Sequence, residues 1–120
     1  MKNEYIAGDL VKYLSQVVKI VEVYQDGTCY FGNETMCGQQ DCKDAEPIPL
    51  TTEILEKNGW VKDKEAYIND SYHLHLCRKY DRYSVYKVVN DNIVWLTDVR
   101  NVSDLQHLLF GLGINHKMEV

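Results

Sequence analysis

Alternation of apolar and polar positions is clearest from Tyr72 to Leu112, where it predicts three consecutive strands and a short helix. Val85-Tyr86-Lys87-Val88-Val89 and Ile93-Val94-Trp95-Leu96 are β-branched and aromatic runs on either side of Asn90-Asp91. Both of those turn residues tolerate positive φ, which predicts a two-residue hairpin loop. Closing the hairpin there pairs Val88 with Ile93 and Tyr86 with Trp95, leaving Val85, Lys87, Val94 and Leu96 on the opposite face. The preceding strand, Tyr72 to Cys77, connects through Lys79-Tyr80-Asp81-Arg82. An odd-length loop centred on Asp81 sets Leu76 against Tyr86 and Leu74 against Val88. A slip of one residue would turn every side chain to the other face, a costly change wherever one face is buried.

The face so built (Leu74, Leu76, Tyr86, Val88, Ile93, Trp95) needs a cover, and the C-terminal helix is the expected one. Ser103 and Gln106 read as a capping box, each side chain satisfying a backbone N–H at the helix start. Leu105, Leu108, Leu109 and Leu112 follow at i, i+3, i+4 and i+7, a stripe broad enough for a sheet. Burying each leucine is worth roughly 1.5–3 kcal/mol. Gly111 and Gly113 mark the helix end, and Phe110 points about 140° away from Leu105 at 100° per residue.

Earlier in the chain, Gly8 to Tyr13 reads as a short strand and Val17 to Tyr24 as a longer one. Asp26-Gly27 is a hairpin signal before Cys29-Tyr30-Phe31. Apolar residues fall on both faces of that hairpin, with Val21, Val23 and Tyr30 on one and Val18, Ile20 and Phe31 on the other. This predicts a small, curled, barrel-like sheet of SH3-like size over residues 1–50. Asn33 to Asp44 is polar and reads as a loop, and Glu46-Pro47-Ile48-Pro49-Leu50 as extended chain. Thr51 or Thr52 caps a short helix ending at Gly59, with Trp60 packing back on Leu55. Ala66-Tyr67-Ile68 and Met118-Glu119-Val120 are expected edge strands. The fold class is therefore α+β: a barrel-like β module over 1–50, then a helix, an antiparallel sheet and a C-terminal helix over 51–120.

Across 120 residues the formal net charge is −5, which argues against a non-specific nucleic-acid binder. No segment approaches the ~20 apolar residues that span a bilayer. Met1 to Tyr5 lacks the apolar core of a signal peptide. The cytoplasm is then the expected compartment, with Cys29, Cys37, Cys42 and Cys77 as thiols.

Pro47-Ile48-Pro49-Leu50-Thr51-Thr52-Glu53-Ile54-Leu55 followed by Asn58-Gly59-Trp60 resembles an "IPLT-E-IL…GF" element. Asn101 to Phe110 resembles a "V-x-x-LQ-x-L-x-F" element. With Gly8-Asp9-Leu10-Val11, the chain looks like a group of small proteins common in gut Bacteroidales and in their phages and mobile elements. Asp104 stands where that pattern often carries His, and the Cys37–Cys42 loop is not part of it. The matching positions are packing and capping residues, so the resemblance implies fold and origin and carries no chemistry.

Several residues invite a chemical reading. His73, His75 and Cys77 alternate, which would project a His-x-His pair and a thiolate from one strand face, a workable zinc or copper arrangement. A mixed, half-exposed sheet face beside Lys87 explains the same pattern and is preferred. Cys37 and Cys42 have a Cys-x4-Cys spacing that suits neither zinc ribbons nor Cys-x-x-Cys redox pairs, although oxidant could join them reversibly. No local signature unites a nucleophile, a base and an orienting group. His107 reads as a surface group, and neither paired carboxylates nor a phosphate loop is visible. The reading is therefore not an enzyme, with no cofactor.

Nine tyrosines are abundant for this length, and Tyr serves interfaces as well as cores. The expected function is a non-catalytic accessory protein of a mobile element or phage, binding a protein partner through aromatic surface. Tyr13, Tyr30, Tyr80, Tyr83 and Phe110 are the candidate binding residues. The alternative is nucleic-acid binding by the N-terminal module, stacking bases on Tyr13 and Tyr30 beside Lys2, Lys12, Lys19 and Lys43. An acidic DNA mimic is a weaker third reading because lysines interrupt the acids. No membrane partner is expected, and homo-oligomerisation is left open.

Overall fold

The computed structural model describes residues 5–120; Lys2 of the nucleic-acid reading lies outside them. The elements in chain order are β1 (Leu10–Tyr13), β2 (Gln16–Val23), β3 (Thr28–Gly32), β4 (Cys37–Asp41), a 3-10 turn (Cys42–Asp44), β5 (Glu46–Pro47) and α1 (Thr52–Lys57). They continue with β6 (Val61–Asp63), β7 (Ala66–Asn69), β8 (Leu74–Lys79), β9 (Arg82–Val89), β10 (Asn92–Val99) and α2 (Val102–Gly111). Over the described residues the chain is thus a mostly-β protein with two antiparallel five-stranded sheets and two α-helices.

Two compact units divide it. One joins the chain up to Pro49 with Asn101–Met118; the other joins Leu50–Arg100 with Glu119–Val120. The expected second module therefore lacks the C-terminal helix, which groups with the N-terminal sheet.

In the first unit the strand order is β4-β3-β2-β1-β5. β4 and β5 remain edges, so the expected barrel is not closed. β1 and β2 are joined by Leu14-Ser15, both at positive φ (50° and 65°), the backbone a primed two-residue hairpin turn demands. Val11, Val18, Ile20, Cys29 and Phe31 form a buried cluster with Tyr5. Val21, Val23 and Tyr30 are exposed instead, so the hairpin buries one face, not two. Part of the expected Asn33–Asp44 loop is β4, paired to β3 from Gly32↔Cys37 to Thr28↔Asp41.

Helix α2 packs on β1, and Val102 N donates to Ile48 O at 2.8 Å. Its N-cap is Asn101, whose Oδ1 accepts from Asp104 N at 2.8 Å. The Ser103–Gln106 capping box does not form: Ser103 Oγ donates to Asn101 Oδ1, and Gln106 turns inward. Leu105 and Leu109 are buried, whereas Leu112, the last of the expected stripe, is exposed.

The second unit is a meander in the order β10-β9-β8-β7-β6. Thr51 caps α1 by accepting from Ile54 N, Gly59 takes φ 89°, and Trp60 N returns to Leu55 O at 3.0 Å. The β9–β10 hairpin closes on Asn90-Asp91 with both φ positive and pairs Val88 with Ile93 and Tyr86 with Trp95, as the alternation predicts.

The β8–β9 register differs from the expected one. Lys79 pairs with Arg82 across a two-residue Tyr80-Asp81 turn, with Tyr80 at φ 51°. Leu76 then faces Val85 and Leu74 faces Lys87. Leu74 and Leu76 are fully buried, but Tyr86 lies across from His75 instead. Tyr86, Val88, Ile93 and Trp95 consequently share the outer face with His75 and Cys77. A bulge between Trp95 and Thr97 moves Val99 to the buried side opposite Tyr83. The expected strand over Met118–Val120 is absent; Glu119 instead exchanges two hydrogen bonds with the Asn58 side chain.

Candidate functional site

The residues singled out above are not brought together. His73 lies in the turn before β8 at φ 57° and is exposed, while His75 and Cys77 are half-buried on the strand. The three therefore do not project as one set, and among the described residues no group of three His, Cys, Asp or Glu side chains has metal-binding geometry. Tyr13, Tyr30 and Phe110 belong to the first unit, Tyr80 and Tyr83 to the second. Tyr83 is buried, edge-on to Tyr67 at 6.4 Å with the Arg78 guanidinium 5.5 Å from its ring centroid. Tyr80 stands at the turn tip, 94% exposed. Phe110 is 58% exposed and meets the His116 ring edge-on at 5.1 Å. Tyr13 is half-buried on Phe31 at 4.6 Å. The Tyr30 hydroxyl is hydrogen-bonded to the Cys37 thiol, which raises its pKa.

The open side of the second sheet is the most distinctive surface. Among the described residues β10 pairs only with β9, and Ile93, Val94 and Trp95 are 62%, 49% and 56% exposed. The hairpin fixes which backbone groups are free. Val88 N donates to His73 O at 2.9 Å, so Val88 turns its peptide groups toward β8. By antiparallel alternation Lys87 turns toward β10 and bonds with Val94. The N–H and C=O of Ile93 and Trp95 then face away from β9 into the open edge. Asp98 fixes the indole: its Oδ1 accepts from Ser84 Oγ at 2.8 Å and from Trp95 Nε1 at 3.1 Å, and Arg82 Nε lies 3.6 Å from Oδ2. Those hydrogen bonds, the Ser84 one foremost, and then the Arg82 charge hold Asp98 below the usual carboxylate range. The hairpin pattern pointed to β10, but the misassigned β8–β9 loop placed Trp95 on the covered face.

A polar node in the first unit escaped the sequence reading. Asp9 is fully buried, and its Oδ2 lies 2.6 Å from His107 Nε2 and accepts from Ile6 N at 2.9 Å; its Oδ1 has no partner among the described residues. The Asp9 hydrogen bond raises the His107 pKa against the opposing effect of partial burial. Beside it the buried Gln106 accepts from Leu10 N at 2.8 Å and donates to Gly8 O and His116 O, both at 2.9 Å. A carboxylate orienting an imidazole is half of a nucleophile-activating triad. No hydroxyl or thiol is hydrogen-bonded to His107 among the described residues, and the contacts it does make anchor α2 to the Gly8–Leu10 segment. His107 is thus a tethered group rather than a free surface one. The spacing of 98 residues to Asp9 left no local signal to find.

The thiols are also rearranged. Cys37 opens β4 and Cys42 follows its end, so five extended steps put them about 16 Å apart, too far for oxidant to join them. Cys42 packs instead against the buried cluster containing Cys29. Burial first, then the hydrogen bond with Cys42, pushes the Cys29 thiol up to about 12. A cleft of about 460 Å³ is lined by Tyr13, Leu14, Ser15, Asp44 and Glu46. Its carboxylates would repel a nucleic-acid phosphate beside Tyr13.

No helix among the described residues is long and apolar enough to cross a membrane. No protein-family model, curated protein or solved structure matches the chain.

Proposed function

We propose that this protein is a non-catalytic interaction module that takes up an extended segment of a partner protein along the β10 edge. The accessory role in a phage or mobile element that the sequence resemblance implies belongs to the same proposal. The observation that carries it is the coincidence, at Ile93 and Trp95, of outward-facing backbone groups with large exposed side chains. Unpaired edge strands are a liability that proteins ordinarily blunt with charge, proline or cover. Here the edge carries an isoleucine, a valine and a tryptophan held in place by Asp98. Strand addition supplies main-chain hydrogen bonds for affinity and alternate side-chain contacts for specificity, and Trp95 has the character of an interface anchor. The binding surface is thereby moved from the tyrosines named at the outset to β10, with Tyr86 and Val88 beside it. The N-terminal sheet plays no part in this reading, because the acidic cleft beside Tyr13 weakens the case for nucleic acid.

The test uses displayed random peptides selected on the intact protein. Enrichment of segments with alternating apolar residues is expected. Trp95→Ala should weaken their binding by about 2 kcal/mol, some 30-fold. Ile93→Pro, which deletes an outward N–H while leaving the β9 ladder intact, should abolish it. Selected peptides that bind both variants undiminished would refute the proposal.

A further inference from the structure

The pairing of β3 with β4 continues one step beyond its last strand pair. Thr28 faces Asp41, and Cys42 N then donates to Gly27 O at 3.0 Å, which sets Cys42 opposite Gly27. Gly27, at φ 89°, closes the turn just ahead of β3, so this bond seats Cys42 beside the start of the strand that carries Cys29. Cys42 packs onto the cluster that contains Cys29 and hydrogen-bonds with the Cys29 thiol. The two sulfurs differ in access: Cys29 is fully buried and Cys42 is half-exposed. Cys37, the exposed thiol of β4, is paired with Gly32 at the far end of the strand.

We propose that Cys29 and Cys42 form an oxidation site, which hydrogen peroxide converts to an intrachain disulfide. The Cys42 sulfur attacks the peroxide, the O–O bond breaks, one water leaves, and Cys42 becomes a sulfenic acid. The Cys29 sulfur then attacks the Cys42 sulfur. The S–O bond breaks, and the Cys29 proton leaves with the departing hydroxide as a second water. The two thiols give up two electrons and the peroxide accepts them. Cys29 is fully buried, so the half-exposed Cys42 meets the oxidant first, and the Cys29 thiol gives up its proton only as its sulfur attacks the sulfenic sulfur. Cys42 opens the Cys42–Asp44 turn, whose Asp44 lines the cleft beside Tyr13. This site lies in the first unit and is independent of the β10 edge.

The experiment treats the folded full chain with hydrogen peroxide, blocks remaining thiols, and cleaves before aspartates. The segment from Asp26 to Gln40 should be recovered linked to Asp41-Cys42-Lys43, with two hydrogens lost and with reversal by a thiol reductant. The link should persist in Cys37→Ser and be lost in Cys29→Ala, where Cys42 oxidises further to the sulfinic acid. A link that vanishes in Cys37→Ser overturns the assignment, as do cross-linked dimers alone or oxygen uptake at Cys42 of the wild type without any linkage. The Cys37→Ser result decides the matter even where Cys29→Ala fails to fold.

Discussion

Replacing Gln106 with leucine removes a hydrogen-bonding amide from the interior while keeping nearly the same side-chain volume. Three bonds disappear: those to Leu10 N, Gly8 O and His116 O. Leu10 N–H has no second partner in the strand ladder to turn to, and an unmade buried donor costs about 1–3 kcal/mol. The two carbonyls keep a second lone pair and lie in half-buried residues, so each loses nearer ~0.5–1.5 kcal/mol. The apolar gain of the leucine offsets part of this sum, leaving a net loss of about 2–4 kcal/mol. Tryptophan fluorescence is the wrong monitor, because Trp60 and Trp95 both belong to the other unit. Native-state hydrogen exchange at the Leu10 and Val18 amides reads the loss directly, and these should exchange at least tenfold faster for each 1.4 kcal/mol lost. Protection at those amides within a factor of two of wild type would refute the reasoning, and with it the claim that Gln106 fastens α2 to β1.

Other consequences follow from single groups. The Asp9 hydrogen bond holds His107 above its ordinary value of 6.5, so the native state binds the extra proton. Stability from this group is complete below about 6.5 and is lost as pH rises through the raised folded value; urea midpoints of His107→Gln should lack this alkaline fall. At the β1–β2 turn, Leu14→Asn with Ser15→Gly relieves two side chains held at positive φ and should stabilise the chain by on the order of 1 kcal/mol by calorimetry. The β8–β9 register is tested by paired truncations: Leu76→Ala should cost about 2–5 kcal/mol, whereas Ile93→Ala, on the exposed edge, should cost within about 0.5 kcal/mol. Equal costs would mean that the two faces are assigned wrongly.

What could be read from the sequence was local. Asn90-Asp91, Thr51 and the Gly59-Trp60 helix end each act within a few residues, and each sits where its chemistry requires. The inward aim of Leu74 and Leu76 was likewise legible from alternation. The β8–β9 loop was not, because nothing about Tyr80 announces that it accepts a left-handed backbone. That single turn decides whether Tyr86 and Trp95 are core or surface. The α2 leucines predicted a helix that packs on a sheet but could not specify which of two. Gln106 satisfied the i, i+3 rule for a capping box, and the competing interaction with Leu10 spans 96 residues. The Asp9–His107 pair is hidden by the same separation, and the Cys29–Cys42 approach depends on the extension of β4 that its polar composition concealed.

The proposal that β10 receives a partner strand is tested most directly by single-residue hydrogen exchange along that strand, in the free protein and with a selected peptide bound. The Ile93 and Trp95 amides should exchange freely at first, with Val94 protected by its bond to Lys87, and both should become protected on binding. Protection of Ile93 and Trp95 already equal to that of Val94 in the free protein, or binding that leaves both amides open, would contradict it.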